Sequence, residues 1–113
     1  PHIVRTAGSA YQAATVDNPY TLDASVAQIL ADFMENNTNT VYGQENFHGL
    51  TVCAKSGTAE VGEGIQPHAL FTGFVRSEQY PLAFLIIAEN SGYGASNCIP
   101  ILSQVLDACI RAK

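Results

Sequence analysis

Three segments with strand character follow one another between residues 50 and 88, and this crowding limits the fold more than any other feature of the chain. The first, Leu50 to Ser56, alternates: Leu50, Val52 and Ala54 fall on one face, Thr51, Cys53 and Lys55 on the other. A second runs roughly from His68 to Val75. The third, Leu82 to Ala88, is apolar throughout, the pattern of a strand covered on both faces. A loop from Gly57 to Pro67, with three interspersed glycines, separates the first two, and a polar turn from Arg76 to Gln79 separates the second from the third. Strands this close in sequence join most simply as an antiparallel meander.

Helical periodicity brackets the strands. Val26, Ile29, Leu30, Phe33 and Met34 make one apolar stripe on a helix predicted over about residues 22–36, with Thr21 or Asp23 placed to cap its start and Asn36 to Asn39 to stop it. After a glycine-rich loop, Glu89 to Ser96, a second stripe is formed by Leu102, Val105, Leu106, Cys109 and Ile110, with Pro100 suited to the first turn. One stripe per helix against one sheet predicts an α/β (α+β) two-layer sandwich: a three-stranded antiparallel meander flanked by helices. Before the first helix, His2 to Arg5 reads as a short strand and the rest, through Asp17, as loop or irregular strand.

Composition narrows the function. Apolar residues are 47% and charged residues 13% of the 113, which is a folding composition with no domain boundary or repeat. The formal net charge of −5, with only five Lys and Arg, leaves no footprint for nucleic acid or an anionic membrane surface. The longest apolar run, Pro81 to Ala88, is too short to span a bilayer. Cys53, Cys98 and Cys109 are an odd set; the last two, about 16 Å apart along one helix, cannot bridge, and all three read as buried thiols. His2, His48 and His68 lack metal-ligand spacing, so no metal or cofactor is expected.

Chemistry concentrates at Lys55-Ser56-Gly57-Thr58, read as the end of the first strand. Alternation displays the hydroxyls of Ser56 and Thr58 together and puts Lys55 on the other side. Gly57 puts no side chain between them, so another backbone can come close. Such a slot, with a fixed positive charge beside it, suits an extended peptide carrying a carboxylate. Glu60 shares that face; a solvated loop carboxylate is its simpler reading. Gly92-Tyr93-Gly94 is not a phosphate loop, because no Lys-Ser/Thr follows at the required distance.

Residues 52–62, Val-Cys-Ala-Lys-Ser-Gly-Thr-Ala-Glu-Val-Gly, resemble the third active-site motif of penicillin-binding proteins, and His68-Ala69-Leu70-Phe71-Thr72-Gly73-Phe74-Val75 resembles the strand that follows it there. The Ala-Glu after Thr58 is closer to the class B, monofunctional transpeptidases. The resemblance implies a partial β-lactamase/transpeptidase-like fold and D,D-transpeptidation of peptidoglycan stem peptides by serine acyl transfer. It also implies inhibition by β-lactams and a location outside the cytoplasmic membrane, with the parent anchored upstream. It gives Lys55 a place in the proton network of the nucleophile, Ser56 and Thr58 the grip on the substrate carboxylate, and the Thr58 N–H one of two oxyanion donors.

The pattern departs from the family in one decisive way. No serine of this sequence is followed at the third position by Lys, and none at the second by Asn, so Ser-x-x-Lys and Ser-x-Asn are both missing. The chain is therefore expected to be the C-terminal portion of a transpeptidase domain, inactive alone. A non-catalytic module binding peptidoglycan peptides, or a fragment of a β-lactamase or β-lactam sensor, are the alternatives. An uncovered edge on the Leu82 to Ala88 strand would invite self-association.

Overall fold

A computed structural model describes residues 6–12 and 22–112. A small hairpin pairs β1 (Thr6–Ala7) with β2 (Tyr11–Gln12). Helix α1 (Ala24–Asn37) follows and continues into a π turn (Thr38–Tyr42) and a 3-10 turn (Gln44–Phe47). Then come β3 (Val52–Ala59), β4 (His68–Val75), β5 (Ala83–Ala88) and the long helix α2 (Gly94–Arg111). β3, β4 and β5 form an antiparallel sheet in chain order, with β4 central. This is the α+β meander that the spacing predicts.

Register decides which side chains meet. Val52 lies opposite Val75, Ser56 opposite Phe71, and Phe71 opposite Ile86, so these residues share one face. α2 covers that face with Cys98, Leu102 and Leu106, spaced four apart and buried, while Tyr42 and Phe47 close the β3 side of the same core. Each large apolar side chain taken out of water here contributes roughly 1.5–3 kcal/mol. The sheet and α2 are the two layers. α1 borders β3 from the other face, where Arg76, just past β4, bonds Asp32 at 2.9 Å and also pairs with Glu35. The chain from α1 to β3 thus wraps around the outer edge of β3.

Several boundaries differ from the sequence reading. β3 does not end at Ser56 but runs to Ala59, because Gly57 keeps an extended backbone and pairs with Leu70; Lys55 to Thr58 is strand interior. Asn36 to Asn39 does not stop the chain's coiling: Thr38 returns its hydroxyl to the Met34 carbonyl and the π turn carries on to Tyr42. α2 begins at Gly94, so Pro100 lies inside the helix rather than in its first turn, and its missing N–H withholds a bond from the Ser96 carbonyl. Asp23 occupies the α1 N-cap position without a side-chain cap bond; Thr21 and the strand expected at His2 to Arg5 lie outside the described residues.

Two burial expectations are overturned. β5 is not covered on both faces: Ala83, Leu85 and Ile87 are exposed while Phe84, Ile86 and Ala88 pack inward. The α1 stripe does not pack either. Val26, Ile29, Leu30 and Phe33 are exposed and only Ala31 is buried; Asp32 and Glu35 of α1 meet Arg76, and the stripe is left uncovered among the described residues.

Candidate active site

The outer edge of β3 is where the singled-out residues converge. In an antiparallel pair, alternate residues aim both backbone groups at the partner or away from it. The bonds made by Val52 and Ser56 show that the even-numbered residues of β3 point outward. Gln44 lays its carboxamide against Val52, accepting from its N–H and donating to its carbonyl, both at 3.0 Å. At Ser56 the N–H donates to the Tyr42 hydroxyl, also at 3.0 Å. The Ser56 carbonyl accepts from the Lys55 ammonium at 2.6 Å. Ala54, between these two points, is fully buried. Thr58 is the next outward residue, and among the described residues its N–H and carbonyl have no partner.

Ser56 and Thr58 lie on the α2 face, as alternation predicts, and Lys55 leaves from the opposite face. The long lysine stem nevertheless curls back to the edge, so its charge arrives beside Ser56 after all. The Ser56 hydroxyl is already engaged, because the Tyr42 phenol donates to it at 3.0 Å.

The close backbone approach here depends on Gly94 rather than on Gly57, where an added Cβ would meet only the Leu70 Cβ, at 3.3 Å. The backbone that comes close is the chain's own: Gly94, the first residue of α2, rests on the Gly57–Leu70 pair. A Cβ added at Gly94 would fall 2.5 Å from the Leu70 carbonyl oxygen and nearer still to that of Gly57. The glycines flanking Tyr93 therefore have a packing reason at Gly94, where no side chain fits.

Beyond Thr58 a groove of about 610 Å³ opens, lined by Thr58, Glu60, Gly62, Glu63, Ile65, Pro67 and Tyr93. Tyr93, 79% exposed, stands over it from the turn before α2. Glu60 lines this groove and is exposed just past the end of β3, as a solvated loop carboxylate is. A smaller cavity of about 180 Å³ lies between α1 and the end of β4, around Asp32, Glu35 and Arg76. The Arg76 guanidinium holds the Asp32 carboxyl below its ordinary value of 3.8. Burial pushes the Cys53 and Cys98 thiols up, which makes them poor nucleophiles. His68 is tied into the fold, its Nδ1 accepting from the Asn90 N–H at 3.0 Å.

Tyr42, Gln44 and Gly94 are the residues that sequence reasoning missed at this site. A sequence model of the penicillin-binding protein transpeptidase domain matches residues 1–107, and the chain belongs to that family. The family acts in peptidoglycan acyl transfer and interacts with β-lactams. No curated protein and no solved structure matches the chain significantly.

Proposed function

We propose that this chain is the C-terminal, substrate-gripping portion of a class B D,D-transpeptidase domain whose serine nucleophile lies outside these 113 residues. The supporting observation is the pair of backbone groups at Thr58, without a partner among the described residues, beside the Ser56 hydroxyl and the Lys55 ammonium on one strand edge. The terminal carboxylate of a stem peptide, or that of a β-lactam, bonds the hydroxyls of Ser56 and Thr58. The scissile carbonyl then lies against the Thr58 N–H, one oxyanion donor of the two required. Removing one such donor typically costs about 3–4 kcal/mol of transition-state stabilisation, so half a hole does not function. The serine oxygen attacks that carbonyl, the terminal D-Ala leaves with a proton, and the acyl group passes to an acceptor amine. Lys55 stabilises the charge around the nucleophile. No cofactor or metal enters this chemistry. The parent acts outside the cytoplasmic membrane, tethered by an upstream anchor.

Labelling with a fluorescent penicillin, read on denaturing gels and by intact mass, tests this. The full-length protein should form a stoichiometric adduct on a serine outside this sequence, and the isolated chain none. An adduct on the isolated chain overturns the assignment of the nucleophile. A full-length protein that binds peptidoglycan peptides without forming an adduct identifies a non-catalytic module instead.

A further inference from the structure

We infer that Tyr42 is a positioning residue that turns the Ser56 hydroxyl into a directed donor for the substrate carboxylate; the inference rests on the carboxylate site proposed above. The geometry leaves the phenol little choice. Tyr42 is only 7% exposed, and its ring stands edge-on to Phe71 with centroids 5.1 Å apart. Its backbone is held as well: the carbonyl accepts from the Asn46 carboxamide at 2.9 Å, and the π turn ends there against Gly43 at φ 80°. The hydroxyl oxygen accepts from the Ser56 N–H, and its one proton goes to Ser56 Oγ, both at 3.0 Å. A phenol is the stronger acid of the two hydroxyls and accepting the N–H polarises it further, so it donates and the serine accepts. Ser56 is then left with its own proton and, among the described residues, no acceptor for it.

That proton is what an incoming carboxylate needs. The resulting chain, phenol to serine to carboxylate, strengthens each bond by polarising the next. With its acceptor position filled by Tyr42, the serine meets the ligand as a donor, the role an acceptor-only carboxylate requires. The Lys55 ammonium at the Ser56 carbonyl adds positive charge at the same spot.

The test is acylation kinetics of the full-length protein with benzylpenicillin and with its methyl ester, on the parent, Tyr42→Phe, Ser56→Ala and the double variant, with thermal melts alongside. Tyr42→Phe keeps the ring contact with Phe71 and removes only the hydroxyl. It should slow acylation by the free acid about three- to tenfold. The loss should vanish in the Ser56→Ala background and with the ester, which has no carboxylate charge to grip. Tyr42→Phe reacting at the parental rate while Ser56→Ala is slow overturns this inference and leaves the carboxylate site standing. An equal loss with acid and ester, or one that persists without the serine hydroxyl, also overturns it, since Tyr42 would then act through the fold alone. If Ser56→Ala itself reacts at the parental rate, the carboxylate site is wrong and the inference falls with it.

Discussion

The two edges of the sheet are finished in opposite ways. Along β3, side chains from the wrapping loop and one from the strand itself meet the outward backbone groups of Val52 and Ser56: Gln44 takes those of Val52, Tyr42 the N–H of Ser56, and Lys55 its carbonyl. Along β5, the outward residues are Ala83, Leu85 and Ile87, and among the described residues no strand lies on the side away from β4. Leu85 is 64% and Ile87 55% exposed. An edge left bare and apolar invites another chain, whereas one closed by side chains refuses it except where a gap is left. Among the described residues, the difference separates an edge left open at one place from an edge left open along its length.

Breaking the β3 side at its working residues should give the largest effect. In the full-length protein, Ser56→Ala and Thr58→Ala should each slow β-lactam acylation roughly ten- to a hundredfold, about 1.4–2.7 kcal/mol of barrier. Lys55→Ala should lose at least as much, because a charge leaves the nucleophile's surroundings. Melts should barely move for Thr58→Ala and Lys55→Ala, while Ser56→Ala leaves the buried Tyr42 phenol without its acceptor and should cost about 1 kcal/mol. Slow acylation accompanied by a much lower melting temperature would make the motif structural rather than catalytic.

Gln44→Ala opens the same edge away from the motif. Val52 is fully buried, so its N–H and carbonyl would lose partners that water cannot easily replace. A loss of about 1–2 kcal/mol in denaturant unfolding is expected. An unchanged midpoint would show that the carboxamide is decoration.

On the β5 side the expected change is in association rather than stability. We propose that the isolated chain self-associates through this edge. Leu85→Lys should shift sedimentation profiles at high concentration towards monomer and change stability by no more than about 0.5 kcal/mol. A strictly monomeric parent chain would remove the contrast between the edges.

The smallest effect concerns the link between α1 and the sheet. The Asp32 carboxyl is held below 3.8 by its bond from Arg76. A group depressed on folding adds stability above its unfolded value and loses it as the pH falls through the folded one. The difference in stability between the parent and Asp32→Asn should therefore be greatest near neutrality and shrink as the pH drops below 3.8. A difference that does not change over that window would mean the ion pair is not felt in solution, as is common for exposed pairs.

Much of this was legible in the sequence, for reasons that individual residues show. Alternation sorted the two sides of β3 correctly, without saying which of them α2 covers, and β4 runs from His68 to Val75 as read. Of the stripe read on α2, Leu102 and Leu106 are buried as expected, while Val105 is 51% exposed and Cys98, outside that stripe, takes the next buried place. What escaped is what depends on contacts distant in sequence. Apolar periodicity in α1 says that a face exists, not that anything covers it, and Phe33 is 66% exposed. An unbroken apolar run at Ala83 to Ala88 fits a strand buried on both sides, yet α2 shields only one. Tyr42 stands fourteen residues before the serine it touches, in a segment of Asn and Thr with no motif to draw attention to it.

The closed edge of β3 also acts as a ruler. Among the described residues, a peptide laid along it finds accessible backbone groups without a partner at Thr58 alone. Sliding two residues towards the start of the strand brings it against the Tyr42 hydroxyl and the Lys55 ammonium, and two further towards Ala54, which is out of reach. Sliding the other way runs past Ala59, where the strand stops. One frame of alignment remains. Under the proposed function, a substrate held in it would present the same bond each time, and the bond cut would be set by counting residues along the edge rather than by recognising the side chains on either side of it.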